Sequence, residues 1–172
     1  IEYIYTVDQQ VIDDAANGVN ISISNYVEVT SVEDNFDSTD SKEHDSTDTP
    51  IVSDPDVEVS KTAQAYDVNG TTKIDAINAE NQTIVFDVLV NNAGNTTLTG
   101  VVVTDAMLSD SHVDGVHVYL SNGAELINDS VTYYTFDKAA GTVTFASIDV
   151  EVEYKIEYIY TVDQQVIDDA AN

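Results

Sequence analysis

A chain of 172 residues has room for one ordinary domain and a small appendage. Its 32 acidic side chains face only five basic ones, all lysine, and the resulting net charge of −27 repels nucleic acid and anionic lipid while favouring cations and basic surfaces. The absence of cysteine excludes a disulfide framework and a thiolate metal site, and no run approaches the ~18 apolar residues of a membrane span.

Alternation of apolar and polar residues predicts strands in chain order. Residues 1–7 (IEYIYTV) and 20–30 (NISISNYVEVT) read as the first two. Residues 33–58 then crowd Asp and Glu among Ser and Thr and hold both prolines, Pro50 and Pro55, which suits a linker between repeats or, as the second choice, a long surface loop. The β pattern resumes with 56–66 and, after a turn at Val68–Asn69–Gly70, with 82–92, where Ile84, Phe86, Val88 and Val90 share one face. A turn at 92–95 leads to 97–105, and short strands follow at 115–120, 130–136 and 142–148, the last two joined by a loop at 137–141. The longest alternation, 148–162, would reach ~50 Å unbroken, so a bulge or sharp bend is expected within it. Residues 163–171 suit a short helical turn with Asp163 at the N-cap.

One feature outweighs the rest. Residues 156–172 restate residues 1–17, letter for letter. Chance does not produce such identity, so the chain reads as one period of a tandem array with a short overlap. Identical copies in series suit stalks, fibres and adhesins, which gain length from them. Many short strands, Gly/Asn turns and no long amphipathic helix predict an all-β chain built as a β-sandwich.

Three segments carry a family resemblance. DVEVSKTA (56–63), FDVLVNNAGNTTLTGVVVTDAM (86–107) and IEYIYTVDQQVIDDAANGVNISISNYVEV (1–29) resemble the opening, central and closing motifs of the conserved-repeat domain of giant prokaryotic surface proteins, a family of unknown function. The resemblance implies an immunoglobulin-like β-sandwich, repeated in tandem outside the cell. It also implies circularly offset boundaries: closing strands of a preceding repeat over 1–32, the acidic linker over 33–55, and a repeat over 56–172 whose closing strands come from the following copy. In surface domains of this build, a first-strand lysine and a last-strand asparagine are sometimes joined covalently beside a carboxylate. Lys61 and Asn25 hold those places, with Asn25 supplied by the following copy.

No constellation of nucleophile, base and orienting acid is legible, nor any phosphate-binding loop or zinc motif, so no enzyme is expected. Calcium is the cofactor that the carboxylates suggest. Asp67, Asn69, Thr71 and Asp75 loosely follow an oxygen-ligand loop, against the plainer reading of an Asx turn. Asp105, Asp110 and Asp114 form a second candidate group, and Asp54 and Asp56 are candidates for an ion at a domain junction. Asn20, Asn69, Asn81, Asn95 and Asn128 each open an N-x-Ser/Thr sequon, making them glycosylation candidates. The expected role is a structural repeat of an extracellular surface protein, partnered by neighbouring copies of itself with shared strands. The alternative is an adhesive module for a glycan or host surface, calcium-dependent in one version, which would gather Tyr66, Tyr119 or Tyr133 on a loop face.

Overall fold

The computed structural model describes residues 2–30, 44–128 and 132–171. The chain is all-β, with antiparallel sheets and two short helices, and divides into two compact units, Ile1–Asp54 and Pro55–Asn172. The acidic residues 33–43 of the expected linker lie outside the described residues, as do 130 and 131.

The first unit holds helix α1 (Gln9–Ala16) and the antiparallel strands β1 (Ser22–Glu28) and β2 (His44–Pro50). Asp8 caps α1 by accepting the Val11 N–H at 3.1 Å, and Gln9–Asp13 and Gln10–Asp14 hydrogen bonds brace adjacent turns. Gly18, at φ +76°, ends the helix: its N–H reaches the Ala15 carbonyl while the Val19 N–H reaches that of Asp14. β1 then pairs with β2 in full register, from Ser22 opposite Pro50 to Glu28 opposite His44. Residues 44–50 were expected to be linker. They form a strand because β1 offers them a main-chain ladder, although HDSTDTP has no apolar alternation of its own.

Residues 1–7 also differ from expectation. Described from residue 2 onward, the segment forms no strand, whereas its copy at 156–162 supplies most of a central one. Tyr3 is 64% exposed and its counterpart Tyr158 is fully buried. Identical residues thus become a strand only where neighbouring strands satisfy their backbone groups.

The second unit contains two sheets. The larger is ordered β4-β3-β5-β10-β7, from β3 (Val57–Tyr66), β4 (Lys73–Ile74), β5 (Thr83–Asn92), β7 (His117–Leu120) and β10 (Glu153–Thr161). The smaller is ordered β6-β9-β8, from β6 (Leu98–Thr104), β8 (Tyr134–Asp137) and β9 (Thr142–Ile148). A 3-10 turn (Ala106–Ser109) follows β6, and helix α2 (Gln164–Ala170) follows β10. The alternation over 148–162 breaks at 149–152, where Val152 N–H bonds the Asp149 carbonyl and Glu151 takes φ +63°. That turn moves the chain from the smaller sheet to the larger.

Both sheets feed one core. Val88 and Val90 of β5, Tyr154, Ile156 and Tyr158 of β10 and Val118 of β7 pack with Val143, Phe145 and Ile148 of β9, Tyr134 of β8 and Leu108 of the 3-10 turn. Phe145 stacks on Tyr154 at 4.8 Å, and Phe86 on Tyr158 at 5.0 Å. Asn92 ties the sheets together polarly. Its buried amide donates to the carbonyls of Thr96 (2.8 Å) and Ile148 (2.9 Å) and accepts the Gly94 N–H.

Candidate functional site

Strand register places Lys61 directly opposite Val88. Directly opposed residues of an antiparallel pair share a face, so Lys61 projects on the core side of the sheet. There its ammonium meets the Asp105 carboxylate at 2.6 Å and lies 4.8 Å from the Phe86 ring centre and 5.5 Å from that of Tyr158. The Tyr158 hydroxyl donates to the same Asp105 oxygen at 2.6 Å, and the other oxygen accepts the Met107 N–H at 3.1 Å, capping the 3-10 turn. Partial burial opposes the Asp105 charge, but the bonds from Lys61 and Tyr158 outweigh it and hold the carboxyl below its usual range. Burial, reinforced by the bond to Asp105, pushes the Tyr158 hydroxyl well above an ordinary tyrosine. Lys61, Asp105 and Tyr158 thus join β3, the end of β6 and β10.

A second polar cluster anchors α2. His112 lies between Asp110, at 2.6 Å from its Nδ1, and Asp163, at 2.9 Å from its Nε2. Hydrogen bonds first to Asp163 and then to Asp110 raise the imidazole, while His112 holds both carboxyls down. Asp163 is also the N-cap of α2, accepting the Val166 N–H at 3.0 Å. The start of α2 is therefore tied to the segment that leaves β6.

The third feature is a surface. On the core side of β3, Val57 and Val59 stand opposite Asn92 and Val90. Val90 is 1% exposed, but Val57 is 49% and Val59 is 68% exposed. The smaller sheet covers β5 and β10 and stops short of β3. Its strand nearest β3 is β6, as the Lys61–Asp105 contact requires, and among the described residues β6 pairs on one side only, with β9.

The other expected residues scatter. Asp67 makes an Asx turn, its Oδ1 accepting the N–H groups of Asn69, Thr71 and Thr72 at 3.2 Å each; the bond from Thr72 leads in lowering its carboxyl. Asp75 and Asp114 are exposed, while Asp105 and Asp110 serve the separate clusters just described. Asp54 closes the first unit and Asp56 belongs to the second, where its carbonyl accepts the Ala93 N–H. Among the described residues, no group of three or more His, Asp or Glu side chains has the spacing to hold a metal ion. Asn20, Asn69, Asn81 and Asn128 are exposed, and Asn95 is half-buried. Asn25 sits on β1 opposite Thr47, in a different unit from Lys61. Sequence reasoning missed Asn92, His112 and the partners of Lys61. The Asn-x-Gly-Asn turn was the one signal available for Asn92. The chain matches no protein-family model, no curated protein and no solved structure.

Proposed function

We propose that this chain is a structural repeat of an extracellular, repetitive surface protein, an immunoglobulin-like β-sandwich that builds a stalk or fibre in series with copies of itself. The observation that carries this reading is the exact recurrence of residues 1–17 at 156–172. The packing supports it: two antiparallel sheets share one core, and the repeated segment is structural in both copies, forming the same capped helix each time. The role is mechanical and needs no catalytic step. Main-chain ladders such as the nine-residue β10 against β5 resist extension better than isolated side-chain contacts.

The distribution of tyrosines weighs against an adhesive face. Tyr66 lies on β3 and Tyr119 on β7, three strands apart in the same sheet and so ~14 Å or more from each other, and Tyr133 precedes β8 in the other sheet. Tyr119 instead lies beneath Lys155, whose ammonium is 4.7 Å from the ring centre.

A length series tests the proposal. Proteins of one, two, three and four tandem periods are measured by small-angle scattering and electron microscopy. A rod-like array gains a constant increment of length per period at constant cross-section. Compact growth, with the radius following the cube root of mass, would refute it.

A further inference from the structure

The unfinished edge of the second unit identifies what fits it. The gap has two walls: the exposed core side of β3, carrying Val57 and Val59, and the unpaired edge of β6, seven residues long. A filling element must add a strand to β6 and lay an apolar face on β3. β1 is also seven residues long and uses one of its edges for β2. Its alternation sets Ile21, Ile23, Asn25, Val27 and Val29 on one side, and Ile21, Val27 and Val29 are exposed.

The repeat supplies the direction of approach. In the first unit, α1 leads through residues 17–21 into β1. Helix α2 has the same sequence and the same aspartate cap, and that cap is held to His112, in the segment that runs beside the end of β10. Wherever another period follows α2, five residues with a reach of ~17 Å lead into a new β1. The pairing taken for it is antiparallel to β6.

We infer that the β6 edge and the uncovered face of β3 form an acceptor groove for the β1–β2 hairpin of a second copy of this chain. The inference rests on the tandem-repeat reading above and names the surface through which copies engage. Pairing Ser22 with Thr104 matches the two strands up to Gly100, whose φ of +63° interrupts the alternation of β6. It sets Ile23 beside Val103 and Asn25 beside Val101, on the side where Val101 and Val103 pack against the core. Ile21 and Ile23 then lie on the core side, toward β3, and β2 continues the sheet outward. The smaller sheet grows from three strands to five, with main-chain bonds giving affinity and side-chain alternation giving register.

The absence of cysteine makes the test clean. Full-length Ser24→Cys and Val102→Cys chains, one of them isotopically heavy, are mixed and mildly oxidised. Both positions point away from the core, and directly opposed strand residues have the Cα separation that a disulfide accepts. The expected result is a mixed disulfide in large excess over either homodimer, together with association of the unmodified chain that increases with concentration. A Val59→Asp chain, altered at an exposed position that leaves the fold intact, should lose both association and cross-linking. A statistical mixture of disulfides, or none, overturns the inference. So does association indifferent to Val59→Asp. A chain carrying both cysteines that closes on itself as a monomer would assign the groove to its own hairpin and overturn the second-copy occupant. None of these failures alters the length series, which tests the array reading separately.

Discussion

Asp105 is the residue whose removal tests the packing most sharply, because one carboxylate serves three donors. In Asp105→Ala, the Tyr158 hydroxyl loses its acceptor on a fully buried residue. An orphaned buried hydroxyl costs about 1–3 kcal/mol. The ion pair with Lys61 is partly exposed and contributes about 0–1 kcal/mol. Loss of the bond to the Met107 N–H removes a cap worth about 1 kcal/mol. Together the loss is about 2–5 kcal/mol. Tyr158→Phe alone should cost about 1–2 kcal/mol, since Asp105 keeps its other two donors. The informative quantity is the coupling. Once Asp105 is alanine, replacing Tyr158 by Phe removes an orphan rather than a bond, so the second change should be neutral or stabilising. The double-mutant cycle should therefore show coupling of about 1–3 kcal/mol. Urea unfolding followed by amide exchange at β5 and β10 reports the second unit specifically, with unchanged m-values required for comparison. Additive losses would mean that Tyr158 and Asp105 do not share this bond, and the reasoning would fail.

Other expectations follow from individual contacts. Asn92→Ala should destabilise the second unit by about 1–3 kcal/mol in denaturant melts, because the Thr96 and Ile148 carbonyls lose their donor. Gly141→Ala should be worse than Gly123→Ala: both have positive φ, but a Cβ at 141 would lie 2.8 Å from the Asp105 carbonyl oxygen, while none of the protein lies within 4 Å of one at 123. Comparing the two melting temperatures separates the clash from the backbone strain. The His112 cluster should give α2 a bell-shaped pH dependence. The raised imidazole contributes fully below its ordinary pKa, near 6.5, and its contribution fades as pH rises through the higher folded value. Asp110 and Asp163, both lowered, contribute above ordinary carboxylate values and fade as pH falls through their folded ones. The protection of the α2 amides relative to their intrinsic exchange rates should thus peak in the middle of pH 3–9, and His112→Ala should flatten its alkaline side.

Strands were legible where burial on one face imposed a period of two. β3, β5, β6 and β9 fall where alternation of Val, Ile, Phe and Thr puts them, and Asp163 caps α2 as its position before QQVIDDAA suggests. β2 was not legible, because its side chains are almost all polar and its strand character comes from the ladder with β1. The copies at 1–7 and 156–162 show the same limit from the other side, for one sequence reads as a strand twice and forms one once. The polar clusters were hidden by separation. Alternation can put Lys61 on the inner face of β3, but nothing local reveals a carboxylate 44 residues away. His112 was hidden in the same way, for its second partner, Asp163, is 51 residues distant.

The placement of the lysines has a consequence for how such repeats behave in bulk. Lys61 is bound to Asp105, Lys155 to Glu157 and Asp87, and the Lys138 ammonium to the Val113 carbonyl. These cations act as struts within the chain, whose net charge stays at −27. If the proposed arrays form, parallel filaments of them would behave as like-charged rods, held apart over roughly a Debye length, ~10 Å at 0.1 M salt. Along the axis the copies would cohere through β-pairing, while sideways they would repel. Ionic strength would thus set the spacing of a filament brush without shortening its filaments.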